Sequence, residues 1–171
     1  MNYELRKLSI NDGRDVYEML QEISKDENGF ENSVNGLSFD EYSLWLKRSI
    51  DMSNAIGLES WMVPQTTFWL FVEGVPVGFG KIRHYLTDKL KAEGGHVGYA
   101  IRPNQRGKGY GKLLLNLLLA EANKMGIENI LVTVRNENKP SLKVALANGG
   151  VIDKVDEGRH YIWLNSKTLC L

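Results

Sequence analysis

A leucine-rich segment in the second half of the chain constrains the fold more than any other feature. Between Gly109 and Met125, leucine occupies six of the seven positions from 113 to 119, so the predicted helix is apolar on almost every side. A helix of this kind is stable in water only when other elements cover most of its surface. We therefore expect it at the centre of a layered α/β domain, with Gly126 ending it.

The residues around this helix alternate between the period of a strand and that of a helix. Short apolar runs bounded by turn residues predict strands over 67–72, 76–86, 96–101, 129–134, 151–155 and 160–164, and a short helix over 140–147. Strands that alternate with helices imply a sheet with a parallel portion. The strand pairs within 67–86 and within 151–164 are predicted to be hairpins, which are antiparallel. The predicted sheet is therefore mixed.

The first 65 residues are expected to add a strand and two helices. Apolar and charged residues alternate over 3–8, which predicts the strand. Helical spacing of apolar residues predicts a helix from the Asn11-Asp12-Gly13 turn to about Lys25. A second helix is expected to begin at Ser38 or Asp40. The polar stretches 26–38 and 87–95 are interpreted as loops.

Length and composition exclude several classes of protein. The 171 residues predict one domain over 1–171, and 21 basic against 21 acidic residues leave no excess for gripping nucleic acid. The single cysteine, Cys170, allows no internal disulfide and no paired thiols for zinc, so no metal is expected. No signal peptide and no run of about 18 apolar residues is present, so we expect a cytoplasmic protein without a membrane span.

The segment from Ile101 to Lys112 is the part of the sequence that indicates chemistry. Its glycines allow tight turns with exposed N–H groups, and the helix that follows adds unpaired N–H donors and the positive end of its dipole. No acid interrupts its cations, which are Arg102, Arg106, Lys108 and Lys112. These features predict a site for a phosphate or pyrophosphate.

Two common phosphate motifs do not fit this segment. A P-loop needs four residues between its glycine and Gly-Lys-Ser/Thr, but three separate Gly107 from Gly111, and Leu113 replaces the hydroxyl residue. The dinucleotide pattern Gly-x-Gly-x-x-Gly fails because Leu114 stands at its last position.

The pattern Arg/Gln-x-x-Gly-x-Gly/Ala does fit, with Arg106, Gly109 and Gly111. Together with the preceding Gly98-Tyr99-Ala100-Ile101-Arg102-Pro103, it closely resembles the acetyl-CoA motif of the GNAT N-acetyltransferase superfamily. A second motif of that family is filled by Asn138, Ser141 and Gly149, and the resemblance extends over about 68–164. It implies a single α/β domain with a mostly antiparallel mixed sheet that splays after the fourth strand, flanked by about four helices, with the coenzyme core over 68–164.

The resemblance also implies a coenzyme site. The pantetheine arm would lie beside the splayed strand and bind its backbone as an added strand does. The residues implied are Tyr99, Ala100 and Ile101 for pantetheine, Arg106, Gly107, Lys108, Gly109, Tyr110, Gly111 and Lys112 for pyrophosphate, and Asn138 and Ser141 for the pantetheine or adenosine side. An N–H near Tyr99 or Ala100 would polarise the thioester oxygen.

The resemblance identifies the catalytic base and acid less clearly than it identifies the coenzyme site. His96 stands where many relatives carry a glutamate base, and an imidazole suits that task at neutral pH; the alternative is a histidine that satisfies a hydrogen bond at the strand end. Glu93 is a weaker candidate, and His84 is interpreted as structural. The family's usual acid, a tyrosine, is replaced by Ala145, and Gly150 stands where a phenylalanine is usual. Substitutes for the acid are Tyr99, Tyr110 and Tyr161.

The resemblance implies an acetyl-CoA-dependent N-acetyltransferase in which a primary amine attacks the thioester directly. A non-catalytic acyl-CoA-binding or sensor relative is the alternative, and a phosphate-binding domain such as a nucleotide hydrolase is a third reading. The acceptor, a small-molecule or peptide amine, would bind between the first two helices and the 86–95 loop. Trp45, Trp61 and Trp69 either line that site or belong to the core, Trp163 is expected in the core, and a homodimer is left open.

Overall fold

The computed structural model describes residues 1–168; Cys170 lies outside them. The described chain forms nine strands and five α-helices. The strands are β1 (Tyr3–Lys7), β2 (Asp26–Glu27), β3 (Phe30–Glu31), β4 (Gln65–Val72), β5 (Val75–Arg83), β6 (Val97–Ile101), β7 (Asn129–Arg135), β8 (Val151–Val155) and β9 (Arg159–Asn165). The helices are α1 (Arg14–Glu22), α2 (Phe39–Ser53), α3 (Asp88–Ala92), α4 (Tyr110–Lys124) and α5 (Lys139–Ala147).

The seven longer strands form two sheets. The first has the order β1-β4-β5-β6 and the second has the order β7-β9-β8. Every ladder of the described chain is antiparallel, including the small β2–β3 hairpin. The parallel portion expected from the alternation of strands and helices is therefore not formed as a ladder, because β6 and β7, the strands that α4 joins, separate instead of pairing.

Helix α4 is buried as its sequence predicts. Leu114, Leu115, Leu118 and Leu119 are fully buried and pack against both sheets. Two glycines of β5 allow the helix to approach: a Cβ at Gly78 would lie 2.9 Å from the Leu114 side chain, and one at Gly80 would lie 2.7 Å from that of Leu118. Larger residues at these positions would push α4 off the sheet.

Helices α1 and α2 cover the other face of the first sheet. They enclose an aromatic cluster in which Trp69 and Phe79 are fully buried, with ring centroids 5.1 Å apart. The N-cap of helix α2 is Ser38, one of the two expected caps: its side chain accepts the Glu41 N–H, and the Glu41 carboxylate accepts the Ser38 N–H. This reciprocal capping satisfies two backbone donors that a helix start leaves free.

The two sheets meet at a fork, which we define as residues 94–96 and 131–133. Gly95 and Val132 form an isolated bridge, and the His96 N–H donates to the Leu131 oxygen at 2.7 Å. Beyond the fork no ladder joins β6 to β7 in the described chain. The expected splay after the fourth long strand is thus confirmed.

Three further expectations from the sequence are wrong. The 87–95 segment contains a short helix, α3, whose first turn is capped by the Thr87 hydroxyl. The 26–38 segment contains the β2–β3 hairpin instead of being a plain loop. Trp163 is 37% exposed, because it alternates along β9 with the buried Ile162 and Leu164 and so faces outward.

Candidate active site

A cavity of about 950 Å³ opens between β6 and β7 and continues over the face of the first sheet. The part between the strands, which we call the gap, is lined by Val97–Tyr99, Val132–Val134, Asn138 and Ser141. The other part, the cationic cleft, is lined by Trp45, Arg48, Trp61, Lys81, Arg83 and Lys89. One continuous space therefore connects the separated strands to helices α2 and α3.

The backbone of β6 offers free polar groups to the gap. The Arg83 N–H donates to His96 O at 2.7 Å, and the Arg102 N–H donates to Val77 O at 2.9 Å. Because polar groups alternate along a strand, those of Val97, Tyr99 and Ile101 face away from β5 and toward the gap. Ala100, which the resemblance grouped with them, lies opposite Phe79 and turns its polar groups to β5 instead.

The glycine loop, Arg106–Gly111, lies at the far end of β6 and leads into α4. Gly107 and Gly109 have φ of +76° and +83°, and a Cβ at either would meet no atom within 4 Å. Gly109 is the N-cap of α4, so the N–H groups of the first helical turn have no partner within the helix. The loop combines left-handed glycines, open space and a helix N-terminus, as an anion site requires.

Ion pairs within the protein hold two of the four cations predicted for this site. Arg102 forms a bidentate pair with Glu22 at the end of α1. Arg106 pairs with Glu27 of β2 at 3.0 Å and also donates to the Ile101 oxygen at 3.0 Å. The Arg102 pair holds the pKa of Glu22 below its usual value. The N-terminal segment is thus tied directly to the glycine loop.

Tyr99 and two residues of the second motif meet across the gap. The Tyr99 hydroxyl lies 2.9 Å from the Ser141 hydroxyl, and Asn138 caps α5 by accepting the Ser141 N–H at 3.3 Å. Burial raises the pKa of Tyr99 to about 12, so the phenol keeps its proton at neutral pH. Tyr99 contributes to the gap with both its backbone and its hydroxyl.

His96 lies at the fork and uses its ring to hold β7. The Leu131 N–H donates to the Nδ1 atom at 2.9 Å, so in the neutral ring the proton is on Nε2. Burial and the nearby Arg83 charge lower the pKa of His96. To accept a proton at Nε2 with a neutral ring, the imidazole would have to change tautomer and release Leu131. This geometry favours the strand-end hydrogen bond over the role of base.

The remaining candidates lie apart from the gap. His84 shares a 2.7 Å hydrogen bond with Thr66, which fits the structural role expected for it. The Tyr161 hydroxyl donates to Ala92 O and to Asp156 on the outer side of β9. Tyr110 packs against the core around α4. Glu93 borders a smaller cavity together with Arg135 and Arg159.

The two departures from the second motif have a steric explanation. Ala145 is fully buried beneath the turn that carries Gly150. A Cβ at Gly150 would lie 2.7 Å from Ala145 O and 2.6 Å from the Ile162 side chain, so no phenylalanine fits there. The turn after α5 is closed too tightly against β9 for the usual residue.

Comparisons with known proteins agree with this architecture. The model of the acetyltransferase (GNAT) family matches residues 19–149, about three quarters of the chain. No curated protein matches the sequence significantly. The chain belongs to the GNAT acetyltransferase family.

Solved structures show the same fold at low sequence identity. The N-acetyltransferase PseH of Campylobacter jejuni, in complex with acetyl coenzyme A, is 17% identical, with a TM-score of 0.65 over 96% of this chain and 99% of that one. The ribosomal-protein-S5-alanine acetyltransferase of Vibrio fischeri is 15% identical, with a TM-score of 0.72 over 100% and 97%. A spermidine N-acetyltransferase chimera from Vibrio cholerae and hSSAT is 16% identical, with a TM-score of 0.66 over 98% and 97%.

Two further features are absent from residues 1–168. No helix there combines the length and the apolar composition needed to cross a bilayer. No group of three or more His, Cys, Asp or Glu side chains there is arranged to hold a metal ion.

Proposed function

We propose that this protein is an acetyl-CoA-dependent N-acetyltransferase that transfers the acetyl group to a primary amine by direct attack on the thioester. One observation carries the proposal: strand β6, which lines the gap, leads at its C-terminal end into the glycine loop and the N-terminus of α4. An extended arm with a diphosphate at its end has the shape and charge that this arrangement accepts.

The residues of the gap fit the coenzyme. The polar groups of Tyr99 and the N–H of Ile101 face the gap and would pair with the amides of the pantetheine arm, as strand addition does. The N–H groups from Gly107 to Lys112 would bind the pyrophosphate, and the open space at Gly107 and Gly109 leaves room for it. Arg106 would exchange Glu27 for a phosphate oxygen, whereas Arg102 would stay with Glu22.

Acetyl-CoA supplies, when bound, an acetyl thioester whose carbonyl carbon the amine attacks. The Tyr99 N–H faces the gap and would polarise the thioester oxygen. The cationic cleft opens onto the same section of β6, since Lys81 lies opposite Gly98. An amine in that cleft is held beside the thioester, and such positioning supplies much of the rate acceleration.

The Tyr99 hydroxyl is our candidate for the proton donor to the departing thiolate. It is bonded to Ser141, which precedes Ala145, the position of the family's usual tyrosine, by four residues on α5. Residues four apart on a helix lie on one face, about 6 Å apart along the axis. A phenol from β6 therefore reaches the same region that a phenol from α5 reaches in other members of the family.

His96 is proposed as a positioning residue. By binding Leu131 it fixes where β6 and β7 begin to diverge, and therefore the width of the gap at the reacting end. The amine would lose its proton to water in the cleft, where neighbouring cations favour its neutral form.

The proposal is tested by mixing the purified protein with acetyl-CoA and a panel of primary amines and following release of the thiol. Acetylated product with at least one amine, and thiol release that depends on that amine, are expected. Tight binding of the coenzyme without turnover of any amine would favour the sensor alternative. Thermal stabilisation by ATP but not by coenzyme A would overturn the assignment.

A further inference from the structure

We propose that the acceptor is a small primary amine that also carries an oxyanion, either a carboxylate or a phosphate, which Lys81 and Arg83 bind. The inference rests on the proposed function, because it names the class of amine that the cationic cleft selects. Neither residue belongs to a motif of the family resemblance, and neither is needed to hold the coenzyme.

Lys81 is a partly buried cation that makes no ion pair in the described chain; the acid that acts on its charge is Glu31, whose carboxylate does not contact it. Its ammonium lies 4.8 Å from the ring centre of Phe30 and 5.0 Å from that of Phe79, and it donates to the backbone oxygen of Glu31 at 2.6 Å. No carboxylate of residues 1–168 lies within 4 Å of this ammonium. An ammonium has three N–H donors, so Lys81 has donors to spare for a ligand.

Arg83 lies two residues further along β5 and so points to the same face. One of its donors binds the Gly95 oxygen at 3.0 Å, and no carboxylate of the described chain pairs with it. A guanidinium presents five donors in a planar fork that matches carboxylate and phosphate oxygens. Glu31 acts on both cations but pairs with neither, so partial burial of two positive charges beside a single acid is unfavourable, and a bound oxyanion would relieve that cost.

The surroundings add to the positive charge. Arg48 on α2 and Lys89 on α3 line the same cleft. The acids that line the cavity are Glu27, which is paired with Arg106, and Glu31. The chain as a whole has no net charge, so this excess is a local property of the cleft.

The coenzyme's phosphates do not account for these cations. The backbone of Arg83 is hydrogen-bonded to that of His96, which comes just before the first residue of β6. The glycine loop instead follows Ile101, the last residue of the strand. Five residues of strand separate the two ends by roughly 17 Å. One end of β6 therefore serves the pyrophosphate, and Lys81 and Arg83 serve a second anion on the acceptor.

The same charges would influence the amine itself. A cation near an amine lowers the pKa of that amine and favours the neutral form that attacks. A polyamine brings further positive charges and no anion, so the cleft would reject it. Trp45 and Trp61 offer an apolar wall for the carbon skeleton that joins the amine to the oxyanion.

The test measures binding by calorimetry with coenzyme A present, so that no turnover is needed. The ligands are matched pairs: amino acids against their carboxamides, aminoalkyl phosphates against the corresponding amino alcohols, and spermidine alone. We expect the acidic member of at least one pair to bind about tenfold or more tighter, as hydrogen bonds to charged groups provide. The pair with the larger ratio identifies the oxyanion.

Variants separate recognition of the anion from other roles of Lys81. Lys81→Met should abolish the preference for the acidic member, Lys81→Arg should keep it, and Arg83→Met should reduce it. Lys47→Met, which removes one exposed charge from α2, is the control and should bind as the parent does. The melting temperature of each variant shows whether it has folded.

Equal binding of acidic and neutral members throughout the set, or preference for spermidine, would overturn the inference. So would a Lys81→Met protein that is folded and keeps the preference. Selective binding of an acidic amine without thiol release from acetyl-CoA would instead contradict the proposed function and leave the inference standing.

Discussion

The hydroxyl of Tyr99 lies 2.9 Å from the hydroxyl of Ser141, so strand β6 and helix α5 are joined across the gap. This bond directs the phenol toward the face of α5 that also carries Ala145. A member of the family that lacks the usual tyrosine on this helix therefore still has a phenol near it. The relationship makes Tyr99 the residue to test first.

Replacing Tyr99 with phenylalanine should lower kcat about tenfold to a hundredfold, because the departing thiolate loses its proton donor. The KM for acetyl-CoA should change little, since the backbone groups of residue 99 remain. Burial raises the pKa of Tyr99 to about 12, so the phenol stays protonated and the ratio of the two kcat values should be constant from pH 6 to 9. Steady-state rates across that range provide the measurement.

Tyr161→Phe is the matched control, because it removes a phenol that bonds on the outer side of β9. It should leave kcat unchanged. A Tyr99→Phe enzyme as fast as this control would show that water protonates the thiolate.

Tryptophan at Gly109 should weaken coenzyme A binding at least about tenfold, because the indole would cover the N–H groups that we propose bind the pyrophosphate. Gly126, at the other end of α4, provides an unusually close control: its φ is +78° against +83°, and neither glycine has a neighbour within 4 Å of a Cβ. Both substitutions should lower the free energy of unfolding by about 1–2 kcal/mol through the same left-handed strain.

Calorimetric titration with coenzyme A distinguishes the two proteins. Gly126→Trp should bind as the parent does. Equal affinities in the two variants would mean that the pyrophosphate lies elsewhere.

His96→Asn should retain most activity, whereas His96→Leu should lose it. The asparagine oxygen can accept the Leu131 N–H as Nδ1 does, but leucine leaves that buried donor unpaired, which lowers the free energy of unfolding by about 1–3 kcal/mol. A catalytic base would be lost in both variants. Comparable losses of kcat in the two, with a change in the pH profile, would restore His96 as the base.

The pH dependence of stability gives a second test of His96. Its pKa in the folded protein is below the ordinary value of 6.5, so the unfolded chain binds more protons near that pH. The stability that His96 contributes is complete above pH 6.5 and is lost as the pH falls through its folded pKa. Denaturant unfolding at pH 7.5 and 5.0 should therefore show a smaller loss for His96→Asn than for the parent, while His84 contributes equally to both.

Alanine at Gly95 should destabilise the protein more than alanine at Gly57. Both glycines have φ of +67°, so both substitutions carry the same strain, but a Cβ at Gly95 would lie 2.3 Å from the Leu131 oxygen whereas one at Gly57 would meet nothing. The collision should add about 1–3 kcal/mol to the loss of unfolding free energy. Urea denaturation measures the difference in unfolding free energy between the two variants. Equal values would mean that the backbone at the fork moves apart without cost to admit the Cβ.

The sequence alone predicts the helices and the loop that surround the gap. Six leucines predict a buried α4, the glycines and Pro103 locate the loop before it, and the start of α2 is narrowed to Ser38 or Asp40, of which Ser38 is the cap. These features depend on local patterns, which a chain carries in its order of residues. For the same reason the family could be identified from motifs 30 residues apart.

Contacts between residues that are far apart in the chain could not be predicted from local sequence patterns. Arg102 and Arg106 belong to a basic run in the sequence, but Glu22 and Glu27, about 80 residues earlier, neutralise them in the fold. The Asn28-Gly29 turn of the β2–β3 hairpin did carry a signal, since Asn-Gly is typical of tight hairpins, and both residues have positive φ. The role of His96 could not be foreseen, because it depends on which backbone group of β7 faces its ring.

The ties from Glu22 to Arg102 and from Glu27 to Arg106 also limit how this protein can be re-engineered. Grafting the segment 14–53 of another family member onto this framework, to exchange its preference for amines, would remove both carboxylates and leave Arg102 and Arg106 without their partners beside the proposed diphosphate site. Such a hybrid would change its grip on the cofactor together with its choice of acceptor, unless acidic residues were restored at both positions.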